Sequence, residues 1–323
     1  MAEALAFWIV APGKGELRRE SLPEPGPGEI LVEALASGIS RGTETLVFQG
    51  RVPESQRQIM RAPQQVGEFS FPLKYGYSSV GVVAAGPDDW LGRRVFCLHP
   101  HQNRYVVPRD SVVTVPATIP EERVVLAANM ETVVNALWDA APRIGDRVAV
   151  VGAGVIGALA AAVASRMPGA AVQLVDINPD KAAIASALGV SFAMPNVATS
   201  GADLVIHASA TAEGLATALD LAGFEATIIE LSWYGDRRVA VALGEGFHSR
   251  RLRLVSSQVG AVATPQRARW DRRRRLSLAV DLLADARFDV LLAPPVPFAR
   301  LPEVMSELAA GPSEVMCQVI RYT

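Results

Sequence analysis

Cysteine is nearly absent from this chain: Cys97 and Cys317 are the only two in 323 residues. Two thiols so far apart in sequence build neither a zinc ribbon nor a disulfide framework, and they suit a reducing compartment. An excess of one charge sign is lacking too. With 31 basic and 33 acidic side chains the net charge is −2, so no global field favours nucleic acid or an anionic membrane. No apolar run reaches the roughly 20 residues of a membrane span; the best, 158–164, is followed by Arg166 and Pro168. The first dozen residues have one acid and no basic stretch, unlike a signal peptide. These absences set the expectation of a cytoplasmic protein acting on a small molecule, without nucleic-acid or membrane partners.

What is present suits a globular enzyme. Half of the residues are hydrophobic and 20% are charged, too apolar a balance for disorder, and the length is enough for two domains. From 1 to about 120, short β-type runs are broken by Gly and Pro: 6–10, 29–34, 80–83, 94–96 and 105–107. Such spacing predicts a compact β-barrel-like domain. The polar, Gln-rich segment 51–70 interrupts it, either as a surface excursion or as a lid. After residue 121 a helical pattern over 124–138 leads into alternation. Strands are expected at 147–151, 171–176, 203–207, 225–231 and 252–256, with helices at 155–166, 180–188, 212–221 and 272–283. This alternation predicts a parallel, doubly wound sheet. A Pro-rich stretch, a short helix at 302–310 and a β run at 316–321 close the chain and are expected to return to the first domain. The resulting division is 1–120 with 288–323, and 121–287.

The richest motif is Val150-Val151-Gly152-Ala153-Gly154-Val155-Ile156-Gly157, followed by Leu174-Val175-Asp176. It reads strand, glycine turn, small-residue helix, second strand, acid. Gly152 permits the tight turn, Gly154 lets backbone approach a pyrophosphate, and Gly157 lets the helix pack on the strand. The helix N-terminus at Val155 and Ile156 offers N–H groups to phosphates. Asp176 is placed to accept from a ribose diol. Against a 2′-phosphate it would be repulsive by about 4 kcal/mol per charge pair at 4 Å and an effective dielectric of 20. Ile177-Asn178-Pro179 supplies no arginine to offset this, so NAD is the expected cofactor. Ligands of open parallel sheets bind beyond the strand C-termini. The segments around Ser209, and Ser232-Trp233-Tyr234, should therefore border the cofactor; Trp233 and Tyr234 either wall a bulky substrate or pack between domains. His248, Ser257 and Gln258 are weaker candidates. The arginines 267, 269 and 272–275 read as a solvated face or a subunit contact.

Five further motifs carry a family resemblance: Ser37-Gly38-Ile39-Ser40-Arg41-Gly42-Thr43, Gly76-Tyr77-Ser78-Ser79-Val80-Gly81, Gly92-Arg93-Arg94-Val95, Tyr105-Val106-Val107-Pro108 and Gly145-Asp146-Arg147-Val148. With the glycine turn, they make the chain resemble the medium-chain dehydrogenase/reductase superfamily. The segment from Ser40 to Pro53 with the Gly76-Tyr77 pair is most similar to the branch of bacteriochlorophyllide-type hydroxyethyl dehydrogenases. The resemblance implies an α/β chain with a GroES-like β-barrel catalytic domain and a doubly wound Rossmann domain, and by analogy a homodimer. It also implies roles. Thr132 matches a nicotinamide-packing position and Arg41 a pyrophosphate-contacting one, while Thr43 and Glu44 lie in a substrate-contacting loop with Ser40.

At the family's zinc-ligand positions stand Ser40, Tyr77 and Ala128, and the four-cysteine structural lobe is missing. A hydroxyl, a phenol and a methyl do not replace thiolate and imidazole, so a zinc-independent enzyme is expected. His99 and His101 could face one way at i, i+2 and hold a metal, but in a Pro-containing loop they read rather as surface or substrate-contact residues. Without a metal, a donor must serve the carbonyl oxygen. Tyr77 is the first candidate, with Lys74 expected to lower its pKa; the alternative is a core tyrosine filling the vacated pocket. Glu131 sits on an otherwise apolar helix, as a raised-pKa base, a binder of substrate hydroxyls or a salt-bridge partner. The expected reaction interconverts a secondary alcohol and a ketone on a sizeable, ring-containing substrate. Quinone or enone reduction and a catalytically silent dinucleotide binder are the alternatives.

Overall fold

The computed structural model describes residues 2–311 and 314–322. Two compact units result: Met1–Ala128 with Leu276–Ala284 and Leu292–Thr323, and Asn129–Arg275 with Asp285–Leu291.

The first unit begins with the antiparallel pair β1 (Ala2–Ala11) and β2 (Lys14–Leu22), in register from Ala2↔Leu22 to Ile9↔Gly15. β2 reads KGELRRESL and has no apolar alternation, so only its pairing with β1 reveals it. In β3 (Glu29–Ile39), Ile30, Val32, Ala34 and Ala36 are buried at every second position. Then comes α1 (Arg41–Phe48), a helix where the sequence suggests a loop. It forms because Glu44 reaches back to the N–H of the N-cap residue Ser40 while Leu46, Val47 and Phe48 are buried. The segment 51–70 holds a 3-10 turn at Glu54–Gln56 and the short β4 (Val66–Gly67). There follow β5 (Leu73–Lys74), β6 (Ser79–Ala85), β7 (Arg94–Cys97), β8 (Arg104–Pro108), β9 (Val112–Thr114) and α2 (Glu121–Val124).

The helix α3 (Ala127–Ala140) is followed by the parallel sheet of the second unit. Its elements are β10 (Arg147–Val151), α4 (Val155–Ala164), β11 (Ala171–Val175), α5 (Lys181–Leu188), β12 (Ser191–Ala193), β13 (Ala202–His207), α6 (Ala212–Leu221), β14 (Ala222–Glu230), β15 (Arg253–Ser256) and α7 (Arg272–Leu282). The sheet order is β12-β11-β10-β13-β14-β15 and every pairing is parallel. Connection order reverses between β10 and β13, the switch point at which such sheets bind ligands. Gly157, Ala158 and Ala160–Ala162 are all buried, so α4 lies close on the sheet because its contact face has almost no side chain. Only three residues long, β12 carries too little pattern to be read from sequence.

The chain ends with β16 (Leu292–Pro297), α8 (Leu301–Ala309) and β17 (Cys317–Arg321), back in the first unit. Despite Pro294 and Pro295, Leu292–Pro297 is a strand. It lies at the sheet edge, and its register to β17 shifts between Ala293 and Val296, which is where proline is tolerated. The larger sheet runs β16-β17-β3-β6-β7-β9 with β8 also on β3, and the smaller runs β2-β1-β5-β4.

Candidate dinucleotide site and a buried polar cluster

In the second unit the three glycines of the turn are distinguished by what a side chain would meet. A Cβ on Gly152, at φ +104°, would lie 2.7 Å from the Ser209 nitrogen, and one on Gly157 would collide with the Gly152 carbonyl oxygen. A Cβ on Gly154 would meet nothing within 4 Å. Gly152 and Gly157 therefore serve the fold. Gly154, at the N-cap of α4, opens onto free space where a methyl group would stand in the way of a pyrophosphate. Val155 and Ile156 beside it are half-buried.

Asp176 follows β11 and turns back to the same loop. Its Oδ2 accepts from the Ala153 N–H at 2.6 Å and its Oδ1 from the Asn178 N–H at 2.9 Å. The carboxylate thus orients the glycine turn; Asp176 is half-buried, and Ile177 beside it is 79% exposed.

Sequence reasoning passed over Glu230, which ends β14 as an acid at the same sheet edge as Asp176. It accepts from His207 at 2.7 Å and from the Ser232 N–H at 2.7 Å, and Tyr234 donates to it at 3.1 Å. Ser209 bonds the other ring nitrogen of His207 at 2.6 Å. Ser209, Ser232 and Tyr234 are thereby brought into one hydrogen-bonded group, with Trp233 half-buried beside them.

Glu131 takes the salt-bridge course among its three readings. Its Oε1 lies 3.1 Å from Nε of Arg275, with both side chains almost wholly buried. Burial raises the Glu131 pKa, and the charges of Arg275 and Arg272 pull against that rise. Arg275 corrects the expectation of a uniformly solvated arginine face: it also bonds Asn135 and the carbonyls of Ala261 and Val259, while its neighbours Arg272–Arg274 are exposed. Glu131, Asn135 and Asp139 form an i, i+4, i+8 stripe along α3, and Asp139 accepts from Ser257 at 2.6 Å. That stripe gives Glu131 and Ser257 structural partners. Thr132, the next residue, is half-buried, and His248 is exposed.

The first unit holds a separate polar cluster. Glu44 and His101 are joined at 2.8 Å, His101 bonds Ser37 at 2.7 Å, and Ser37 bonds Tyr322 at 2.9 Å. The Tyr77 hydroxyl bonds the side chains of Ser40 and Thr43. Burial raises its pKa, and the Glu44 carboxylate raises it further. Lys74 does not take part, contrary to expectation: the strand ends at Lys74, before Tyr77, and the Lys74 ammonium pairs instead with Glu20 at 2.7 Å and Gln102 at 2.9 Å. His99 and His101 make different bonds. His99 stacks on Tyr105 at 3.8 Å and bonds the Pro100 carbonyl, and burial lowers its pKa to about 3. Among the described residues no group of three or more His, Cys, Asp or Glu side chains is gathered as a metal site would require. Arg41 lies half-buried at the start of α1.

No family model matches the chain. D-guloside 3-dehydrogenase of Escherichia coli K12 is 30% identical over 179 residues, 51% of each chain, so the match spans about half the length of that relative. L-threonine 3-dehydrogenase of Sinorhizobium fredii is 33% identical over 232 residues, 64% of this chain and 66% of the relative. A 2-desacetyl-2-hydroxyethyl bacteriochlorophyllide A dehydrogenase of Cereibacter sphaeroides is 40% identical over 83 residues, 25% and 23% of the two chains. Among solved structures, a dehydrogenase of Sinorhizobium meliloti 1021 described as zinc-binding, in complex with NADP, superposes with a TM-score of 0.79 at 18% identity, over 99% and 100% of the chains. An alcohol dehydrogenase of Escherichia coli CFT073 complexed with NADH gives 0.78 at 15%, over 99% and 100%. Relatives and fold together support the superfamily of medium-chain, zinc-type alcohol dehydrogenases. Within that superfamily's fold, the open position at Gly154 and the polar cluster around Tyr77 lie in different units of the chain.

Proposed function

We propose that this chain is an NAD(H)-dependent oxidoreductase that interconverts a secondary alcohol and a ketone without zinc. The observation that carries the cofactor reading is the pairing of an open Gly154 with an Asp176 whose carboxylate is held at the end of β11. A ribose diol donates to such a carboxylate, whereas a 2′-phosphate is repelled by it. Bound nicotinamide supplies the hydride chemistry. The chain's own residues bind and orient the dinucleotide, and in the first unit they hold one proton.

Zinc does not fit the donors at the family's ligand positions. Tyr77 keeps its proton near neutral pH, since burial and the Glu44 carboxylate oppose its ionisation more strongly than hydrogen bonding with Ser40 and Thr43 favours it. A protonated phenol is a poor zinc ligand and a good hydrogen-bond donor. Tyr77 is therefore read as the donor to a substrate carbonyl oxygen, which suits ketone reduction better than alcohol oxidation. The guloside and the hydroxyethyl bacteriochlorophyllide in the relatives' names are both ring-bearing alcohols, which supports a sizeable, ring-containing substrate.

The test is a titration with NADH and NADPH, followed by turnover of cyclic secondary alcohols, the matching ketones and simple quinones, with metal analysis of the same sample. The reading expects tighter NADH binding, ketone reduction insensitive to chelators, and its loss in Tyr77→Phe. Preference for NADPH, or activity proportional to bound zinc, would defeat it. Quinone turnover alone would favour the reductase alternative.

A further inference from the structure

Beyond strands β13 and β14, two segments are tied together through one carboxylate. Oε2 of Glu230 accepts from Nδ1 of His207 at 2.7 Å and from the Tyr234 hydroxyl at 3.1 Å, and Oε1 accepts from the Ser232 N–H at 2.7 Å. His207 has no exposed surface. Because the carboxylate offers only acceptors, Nδ1 carries the proton in the neutral imidazole, and Nε2 is left to accept from the Ser209 hydroxyl at 2.6 Å. The Ser209 oxygen then accepts from the Thr211 N–H at 3.3 Å and lies 3.0 Å from the Thr211 hydroxyl, whose oxygen caps α6 at Gly214. From the other side the Ala210 N–H donates to Ser232 at 3.0 Å, and Arg237 donates to the Ala210 carbonyl at 2.7 Å. The segment 208–211 is thus clamped at each residue. Its backbone is the surface that Gly152 abuts, and the Ala208 N–H donates to the Val151 carbonyl at 2.8 Å.

We propose that His207 and Glu230 are positioning residues for dinucleotide binding: by setting the direction of the Ser209 hydrogen bond they hold segment 208–211 against the glycine turn. The proposal rests on the dinucleotide reading above and adds residues that act through segment 208–211. Burial works against the Glu230 charge, but the hydrogen bonds from His207 and Ser232 hold its carboxyl below the ordinary value, so it remains an acceptor through the neutral range. The charged and titratable groups around it are His207 from β13, Tyr234 from its own segment, and Arg237 over the Tyr234 ring.

Glu230→Gln is nearly isosteric and tests the direction of the chain of bonds. With its carbonyl on the Ser232 N–H, the glutamine amide group faces Nδ1 and drives the imidazole proton to Nε2, so that the Ser209 hydroxyl turns to Thr211, accepts from Nε2 instead of donating to it, and loses its link to a charged group. Nitrogen NMR of the imidazole should report Nδ1–H in the wild type and Nε2–H in E230Q. The dissociation constant for NADH should rise about tenfold in E230Q, in line with the loss of a hydrogen bond to a charged group. Ser209→Ala should bring a similar loss, and the double variant should be no worse than either single one, because both act through the same bond. Amide exchange over 150–157 and 205–214, measured without nucleotide, should quicken in each variant. Unchanged NADH affinity in folded E230Q or S209A, additive losses, or unchanged exchange overturns the proposal; if E230Q does not fold, S209A decides. A wild type that binds no dinucleotide defeats the functional reading instead, and the exchange and NMR results still judge the clamp.

Discussion

Glu44 and His101 are joined by a 2.8 Å hydrogen bond between side chains only 3% and 1% exposed, and each has further partners: the Ser40 N–H on the carboxylate and Ser37 on the imidazole. Removing either member leaves the other buried with an unmet bond, which is costlier than the bond itself is favourable. His101→Ala should lower stability by about 2–4 kcal/mol, and Glu44→Ala by a similar amount. Chemical denaturation of the two singles and the double should show strong non-additivity. Additive effects would mean that the two side chains act independently.

His99 gives the first unit an acid-sensitive element. Its folded pKa, about 3, lies below the ordinary 6.5, so the unfolded chain binds the proton more readily. The associated stability is fully present above pH 6.5 and is lost as pH falls from there toward 3, with a slope approaching about 1.4 kcal/mol per pH unit. His99→Phe, which keeps a ring over Tyr105, should flatten that part of the stability profile. An unchanged slope in the variant would remove His99 as its source.

The three glycines of the turn should separate binding from folding. Gly157→Ala meets backbone and should destabilise the second unit by more than about 2 kcal/mol. Gly154→Ala has room and an ordinary φ of −72°, so the melting temperature should hold while dinucleotide affinity falls at least tenfold. Retained affinity in G154A would place the phosphates elsewhere.

Asp176 has two tasks that one substitution can divide. Asp176→Asn keeps an acceptor for the Ala153 N–H but removes the charge. NADPH affinity relative to NADH should then rise by about tenfold or more, the scale set by relieving one charge repulsion. Asp176→Ala also loosens the turn, so its NADH affinity should fall below that of D176N. Equal nucleotide ratios in the wild type and D176N would show that the carboxylate does not choose the cofactor.

Much of the second unit is legible in the sequence because local pattern and tertiary role coincide there. The strand at 147–151, the glycine turn and the helix at 212–221 carry periodicity, small residues and caps that read the same in isolation as in the sheet. The same signal that marks Asp176, an acid ending a buried parallel strand, was available for Glu230. Arg275 is harder: it sits in a run of four arginines, and only the helical spacing to the buried Ala279 and Leu283 sets it apart.

By itself the chain determined most of the strand–helix alternation of the second unit, the glycine turn and the acid after β11, since these depend on residues within a few positions of one another. Tertiary structure decided the partners of its buried charges. Lys74 with Glu20, Glu44 with His101, Glu131 with Arg275 and His207 with Glu230 join residues 23 to 144 positions apart. A buried polar group takes whichever partner the fold brings within about 3 Å. That choice is made by strand register and helix packing, and no short stretch of sequence contains it.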